Sequence, residues 1–143
     1  MGQLSAEIMK ALKSSEEDIK KKANTAIRVA AIKTWGKIIR MTPVDSGRAR
    51  SNWFIGLSVG SEVNKTNKRR GPQYINKELP QDLLNNKVYL YNNLPYINAL
   101  EFGGYGEGPK TSNGFSDQAP AGMVRVSLLG WDRALKKAFK AVQ

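Results

Sequence analysis

The strongest constraint in this sequence is the helical apolar pattern of its first 41 residues. Apolar side chains recur there at mostly three- and four-residue steps, which is the period of an amphipathic helix. They are Leu4, Ile8, Leu12, Ile19, Ala23, Ile27, Ala30, Ala31, Trp35, Ile38 and Ile39. One helix of this span would be about 60 Å long, at about 1.5 Å per residue. The stripe is weakest at Lys13–Asp18, so the pattern also allows two helices that join near Ser14.

The two halves of this pattern differ in their apolar content. From residue 23 onward the apolar positions are denser, and we expect that half to lie on the domain core. We expect residues 1–22 to form a helical arm that packs on a neighbouring subunit. Pro43 forces the residue before it out of the helical region, so the helix should end near Arg40 or Met41.

The remaining patterns predict an α+β fold in a single domain, 1–143. "WFIGLSVG" and "KVYLYNN" alternate as strands of a small antiparallel sheet. Before the first strand, Asp45 would cap a short helix through Ser46–Asn52. "YINALEFG" predicts a second short helix, starting at Pro95 or Tyr96. Inward side chains of the first strand are predicted to be Trp53, Ile55, Leu57 and Val59, and those of the short helix Ile97, Leu100 and Tyr96.

The chain should close with an amphipathic helix that starts at about Pro120 and packs on the sheet. Its predicted apolar stripe is Val124, Leu128, Trp131, Leu135, Ala138, Phe139 and Val142. Its basic residues lie mostly in the C-terminal half, where the helix dipole favours cations.

Two polar segments interrupt these elements. Residues 61–87 are basic and broken by prolines, and we interpret them as an extended hairpin or a loop. Residues 103–122 hold six glycines and two prolines, so we expect no regular structure there.

Composition excludes several classes of site. The chain has 143 residues, no cysteine and no histidine, which removes thiolate nucleophiles, imidazole bases and Cys/His zinc sites. No stretch is long and apolar enough for a membrane span or a signal peptide. We therefore expect no membrane contact and no enzymatic activity.

The acidic residues of the glycine-rich region are Glu101, Glu107 and Asp117. A hard cation could use such oxygen ligands, but the spacing is not that of an EF-hand calcium loop. No catalytic partner of these acids lies at a recognisable spacing either. The glycines of this region complete neither the Walker phosphate-binding motif nor the Rossmann dinucleotide-binding motif. We interpret them as polar loop residues and predict no catalytic residue, metal or cofactor.

The net charge is +11, from 23 basic and 12 acidic residues, which favours contact with polyanions. The segment "NKTNKRRGPQY" is the best candidate, because its cations can neutralise phosphates without reading sequence. The predicted contacts with DNA or a partner are Lys65, Lys68, Arg69, Arg70 and Arg50. A solvated loop and solvated helix faces would account for the same charges.

Three motifs carry a resemblance to a known family. "TPVDSGRARSNW" resembles the "TPVDTGRLRASW"-type signature of tail-completion and head–tail joining proteins of tailed bacteriophages, the minor tail protein Z-like family. "YLYNNLPYINALEFGG" and "APAGMVRVSL" resemble its later segments, in the same order. The matching residues are Thr42, Pro43, Asp45, Gly47, Arg48, Trp53, Tyr96, Glu101, Phe102, Gly103, Pro120, Gly122, Met123 and Arg125. Ala49 departs from the pattern, which usually has a larger aliphatic residue, and Phe102 stands where Tyr is common.

The resemblance implies a virion structural protein that is assembled in the host cytoplasm. Its subunits would form a homo-oligomeric ring, a hexamer or a dodecamer, at the head–tail junction. The ring would contact other neck, portal-adaptor and tail-tube proteins and surround the genomic DNA without sequence preference. The alternative that the charge leaves open is a free nucleic-acid-binding factor for packaging or host takeover.

The two arginines of the first motif lie two positions apart and should point to different faces of a short helix. We expect Arg48 to pair with an acid inside the fold, Glu101 or Asp45. We expect Arg50 to face solvent, DNA or a neighbouring subunit.

Overall fold

A single uninterrupted helix, α1, extends from Gly2 to Met41 in the computed structural model, which describes residues 2–65 and 70–143. The sequence allowed either one helix or two helices joined near Ser14. The structure has one helix, without a joint at Ser14. The weakly apolar stretch stays helical with the support of i,i+4 ion pairs. Glu16 contacts Lys20 at 2.9 Å and Asp18 contacts Lys22 at 3.1 Å. The helix ends where Pro43 predicts.

The fold class is α+β, as predicted. After α1 come α2 (Arg48–Ser51), β1 (Trp53–Gly56), α3 (Pro72–Glu78), β2 (Tyr89–Asn92), α4 (Ile97–Phe102), β3 (Thr111–Ser112), β4 (Phe115–Ser116), α5 (Val124–Leu128) and α6 (Trp131–Val142). Strands β1 and β2 pair antiparallel, with Trp53 opposite Asn92 and Gly56 opposite Tyr89. Strands β3 and β4 form a separate small hairpin.

The first strand is shorter than predicted. It ends at Gly56, where its pairing with β2 also ends, opposite Tyr89. Trp53 and Ile55 are buried as expected, whereas Leu57 and Val59 lie beyond the paired region and are exposed. Their predicted inward orientation is wrong, since burial on a sheet requires the strand to continue beside a partner.

The described part of segment 61–87 is not a hairpin, because α3 lies within it. Ile75 on this helix is fully buried and Leu79 nearly so, and both belong to the main core against α1. Arg28 of α1 donates hydrogen bonds to the backbone oxygens of Asn76 and Pro80. Asn24 also accepts from the backbone N–H of Leu83. The segment is therefore fastened along α1.

The glycine-rich region also contains more order than predicted. Asn113 and Gly114 both have positive φ values, 54° and 84°, and connect β3 to β4. An Asn-Gly pair in this conformation makes the tight hairpin turn that matches the natural twist of two strands. The expectation of no regular structure in 103–122 is wrong at these residues.

The C-terminal region is two helices rather than one, and its second helix packs on α1 rather than on the sheet. Ala26 and Ala30 of α1 and Ala134 and Ala138 of α6 form a second core cluster. Facing alanines allow two helix backbones to approach closely. The break at Leu129–Gly130 leaves Leu128 half-exposed, so its predicted burial is wrong.

The N-terminal half of α1 extends beyond the rest of the protein. From Gln3 to Lys22 every side chain except that of Ser5 is exposed. The exposed fractions of its large apolar side chains are 51–70%. Leu4, Ile8, Leu12 and Ile19 share one helix face, which we call the arm stripe. That face continues into the alanine face that α6 covers.

No helix in the described part of the chain combines the length and apolar composition needed to cross a membrane.

Candidate assembly site and its motif framework

The first motif fastens the end of α1 to the sheet. Thr42 is fully buried, and its hydroxyl donates a hydrogen bond to the Ile38 carbonyl oxygen at 2.8 Å. The same hydroxyl oxygen accepts from the indole Nε1 of Trp53 at 2.9 Å. Pro43 then prevents another helical turn. The helix end and the first residue of β1 are thus held by one buried hydroxyl.

Arg50 caps the C-terminal end of α1. Its Nε donates to the backbone oxygen of Thr42 and its Nη2 to that of Arg40, both at 2.6 Å. A cation at this position satisfies carbonyls that have no partner within the helix and complements the helix dipole. The structure thus gives Arg50 a role inside the subunit, while its predicted contact with DNA or a neighbour stays a prediction.

Arg48 takes the opposite role from the predicted one. Its side chain is exposed, and within residues 2–65 and 70–143 its guanidinium makes no ion pair with Glu101 or Asp45. The chain doubles back after Pro43, and this path brings Arg50, not Arg48, against the helix end. Whether Arg48 or Arg50 contacts the end of α1 therefore depends on the path of the chain after Pro43.

Asp45 does not cap α2. The residue that precedes this helix is Gly47, with φ 84°, and Asp45 is exposed. Gly47 supplies the left-handed turn that an L side chain adopts only with strain, which explains the glycine in the motif. The predicted capping role of Asp45 is wrong because the helix starts later than expected.

The second and third motifs meet at the buried carboxylate of Glu101, which is 6% exposed. Its Oε2 accepts from the backbone N–H groups of Met123 at 2.8 Å and Val124 at 2.7 Å. Its Oε1 accepts from the backbone N–H of Arg125 at 3.0 Å and from the Arg125 Nε at 3.1 Å. The carboxylate thus occupies the N-terminal end of α5.

Burial alone would raise the pKa of Glu101. The three backbone N–H groups and the Arg125 guanidinium outweigh burial, because each stabilises the charged form, and the pKa lies below its ordinary value. Arg125 also donates to the backbone oxygen of Glu101 at 2.6 Å and lies over the Phe102 ring, 4.6 Å from its centre. Within the described residues, Glu101 pairs with this arginine and not with Arg48.

Two motif glycines make this joint possible. Gly122 has φ 80°, and a Cβ there would lie 2.5 Å from the Glu101 backbone oxygen. Gly103 has φ 83°, and a Cβ would meet the Phe115 ring at 3.2 Å. Met123 is fully buried beside them, and Pro120 is exposed.

Tyr96 was expected to point inward, but it is 37% exposed and borders an open cavity of about 420 Å³. Arg48, Tyr105 and Lys110 also line this cavity, whose floor is the turn after Pro43. Partial burial raises the pKa of Tyr96, while the nearby Arg48 charge acts in the opposite direction.

Among the described cations of the predicted basic contact surface, one is exposed and one is engaged within the fold. Lys65 is exposed, but Arg70 lies between the rings of Phe54 and Tyr74, 4.8 Å and 4.1 Å from their centres. Arg70 also donates to the Ser51 backbone oxygen. The two other predicted cations, Lys68 and Arg69, lie outside the described residues.

Some structural residues escaped the sequence analysis. Asn52 is fully buried; its Oδ1 accepts from the Asn64 N–H at 2.7 Å and its Nδ2 donates to the Asn64 oxygen at 3.1 Å. No spacing connects these two asparagines. The cations of α6 do have a spacing that the sequence shows, because they recur every three or four residues. They are all exposed: Arg133, Lys136, Lys137 and Lys140.

The acids considered as ligands do not come together. Glu101 is occupied at α5, Glu107 is exposed, and Asp117 accepts from the Ser112 hydroxyl at 2.7 Å. Within residues 2–65 and 70–143, no cluster of acidic side chains is placed to hold a metal ion.

Replacing Glu101 with Gln should lower the free energy of unfolding by about 2–3 kcal/mol at neutral pH, because charge-assisted hydrogen bonds are lost. The folded-state pKa lies below the ordinary value of 4.5. The stabilisation is therefore complete above that value and disappears as the pH falls through the lower pKa. Urea unfolding should show the difference from wild type narrowing in acid. The exposed Glu107→Gln is the control, and a difference that persists unchanged in acid would contradict the assignment.

Arg50→Ala should destabilise the protein by about 1–3 kcal/mol, because two helix-end carbonyls lose a charged donor. Arg48→Ala should stay within about 0.5 kcal/mol of wild type, as expected of an exposed side chain. Thermal and urea unfolding of the two variants measure this difference. Equal losses, or a larger loss for Arg48→Ala, would refute the capping role.

The chain matches a family of phage proteins. A family model described as "Bacteriophage HK97-gp10, putative tail-component" matches residues 6–103, about two thirds of the chain. The match runs from α1 through α4 and includes the first two motifs, but not the third. Searches of the curated proteins and of the solved structures return no match. The family supports a structural, tail-related role and confirms the resemblance to phage tail proteins. The chain belongs to the HK97-gp10-like family of bacteriophage tail components.

Proposed function

We propose that this protein is a non-enzymatic virion subunit that forms a homo-oligomeric ring at the head–tail junction. The ring joins the portal side to the tail and surrounds the DNA path. The observation that carries the proposal is the exposed arm stripe. Family membership supports the tail-related part of this role.

The arm stripe is unfavourable for an isolated subunit. Leu4, Ile8, Leu12 and Ile19 place four large apolar side chains in water on a helix that extends about 30 Å past the core. Exposed apolar surface of this extent typically marks an interaction site. A neighbouring subunit that covers the stripe would supply the burial that the subunit's own core does not.

The purified chain should form an oligomer in solution, and Ile8→Asp combined with Leu12→Asp should shift it toward monomer. Association through the stripe would bury the two new carboxylates without partners, and this burial is costly. Light scattering coupled to size exclusion gives the mass, and circular dichroism checks that α1 remains helical. Ala6→Asp, on the opposite face of α1, is the matched control.

A wild-type chain that stays monomeric over a wide concentration range would overturn the proposal. So would an Ala6→Asp variant as disruptive as the stripe variant, or the absence of the protein from purified virions.

We also propose that the ring faces DNA through α6. Arg133, Lys136, Lys137 and Lys140 recur at the spacing of one helix face and are all exposed. Asp132 is the only acid between residues 118 and 143. Such a face can neutralise phosphates without reading bases. We propose this face in addition to the predicted contact at Arg50 and Arg70, whose guanidinium groups also donate to backbone oxygens of the subunit.

DNA binding should be weak and steeply salt-dependent. Changing Lys136, Lys137 and Lys140 to Gln should lower the slope of log affinity against log salt by about 0.9 per lost phosphate contact. Removing the same charge from the arm, at Lys10, Lys13 and Lys21, serves as the control. Fluorescence anisotropy over a salt series measures both. Salt-insensitive binding would contradict the DNA contact, and submicromolar binding by a monomer would favour the free nucleic-acid-binding factor.

A further inference from the structure

The C-terminal half of α1 carries a row of exposed cations. Between Asp18 and Asp45 the sequence has no acidic residue. Three cations of this segment are exposed, namely Lys33, Lys37 and Arg40. Within residues 2–65 and 70–143 none of these three forms an ion pair. Their charges are therefore available to a partner.

This row continues the face of α1 that α6 covers. Ala26 and Ala30 belong to the alanine cluster between the two helices. Positions 26, 30, 33, 37 and 40 follow one another at three- or four-residue steps, so they share one face of α1. Ser127, just before α6, contacts Met41 at the end of α1. Because α6 then reaches Ala30 and Ala26, it runs antiparallel to α1.

The cations of α6 border the same helix–helix contact on the side away from the core. Leu135 and Phe139, which directly follow the two alanines of α6, pack against the alanine cluster. The residues that directly precede those alanines lie on the opposite flank, about 100° to the other side. They are Arg133 and Lys137, and Lys140 lies one turn beyond them; all three are exposed.

The two sets of cations form one surface, which we call the α1–α6 row: Lys33, Lys37, Arg40, Arg133, Lys137 and Lys140. The antiparallel packing places the cations of α6 beside the part of α1 that precedes Lys33, so the cations of α1 extend the row. Each set spans seven residues (40 − 33 and 140 − 133). At about 1.5 Å per residue, the whole row is roughly 20 Å long. Asp132, the one acid of α6, lies one turn before Lys136 rather than along the row.

We infer that the phosphate backbone of double-stranded DNA lies along the α1–α6 row, with α1 supplying half of the contact. This inference rests on the proposed DNA contact of α6 and adds Lys33, Lys37 and Arg40 to it. A line of cations without interspersed acids neutralises phosphates of any base sequence.

The surroundings of the row favour duplex DNA over a single strand or an acidic protein. Single-strand sites typically offer aromatic rings on which bases stack. The aromatic rings of these two helices, Trp35, Trp131 and Phe139, pack into the cores instead. Protein interfaces typically have an apolar centre. On the described parts of α1 beyond Ile19 and of α6, Val29 is the only large apolar side chain that is exposed.

Fluorescence anisotropy of a labelled DNA duplex over a salt series tests the inference on the full-length protein. Lys33→Gln combined with Lys37→Gln removes two charges from the α1 part of the row and keeps a good helix former at both positions. Lys87→Gln combined with Lys110→Gln is the matched control, because both lysines are exposed and lie outside α1 and α6. Circular dichroism and light scattering check that each variant keeps its helix content and its mass.

The inference predicts that the slope of log affinity against log salt falls by about 1.8 in the α1 variant, at about 0.9 per lost phosphate contact, and is unchanged in the control. Adding the changes at Lys136, Lys137 and Lys140 should lower the slope further. If those α6 changes lower the slope and the α1 changes do not, the inference is overturned and the DNA contact of α6 stands. Salt-insensitive binding by the wild-type protein overturns both.

The same titration with a single strand of equal length and with polyglutamate tests the class of partner. The inference predicts that the wild-type protein binds the duplex more tightly than either probe. Tighter binding of the single strand would overturn the duplex assignment. Tighter binding of polyglutamate that the α1 variant loses would overturn it in favour of an acidic protein surface.

Discussion

The length and rigidity of α1 determine how the rest of the protein can be arranged. Its C-terminal half provides the wall on which α3, α5 and α6 pack, while its N-terminal half has almost no side chain covered by the subunit itself. Because α1 is one continuous helix, it holds the arm stripe in a fixed position relative to the core. The same rigidity keeps the arm away from the core of its own subunit, which is why we propose that a neighbouring copy covers the arm stripe.

Polar joints hold the shorter elements to this helix. The hydroxyl of Thr42 and the guanidinium of Arg50 complete the end of α1 and attach β1 and α2 to it. The carboxylate of Glu101 attaches α4 to α5, and Gly122 leaves room for that approach. These joints account for much of the three motifs. The motif residues are therefore parts of the framework, whereas the surfaces proposed for assembly and DNA contact lie largely outside the motifs.

Local chemistry made much of the fold predictable from the sequence. Proline at position 43 disfavours a longer helix, and alternating apolar residues favour strands, through the residues nearest to them in the sequence. Tertiary contacts decided the rest. Ile75 marks a core helix only once α1 lies against it, and Arg50 reaches the end of α1 only because the chain turns back after Pro43. The α1–α6 contact is made by alanines such as Ala30, which carry little apolar signal in a sequence. The apolar positions of α1 are sparser before residue 23, and this half of the helix is the one with exposed side chains.

The central claim is that each subunit covers the arm of its neighbour and thereby builds a ring. A cryo-electron reconstruction of the assembled oligomer tests this most directly, because it shows where every arm lies. The account predicts a closed ring in which residues 4–19 of each copy lie against the next copy. Arms that project into solvent, or that pair with one another about a two-fold axis, would contradict it.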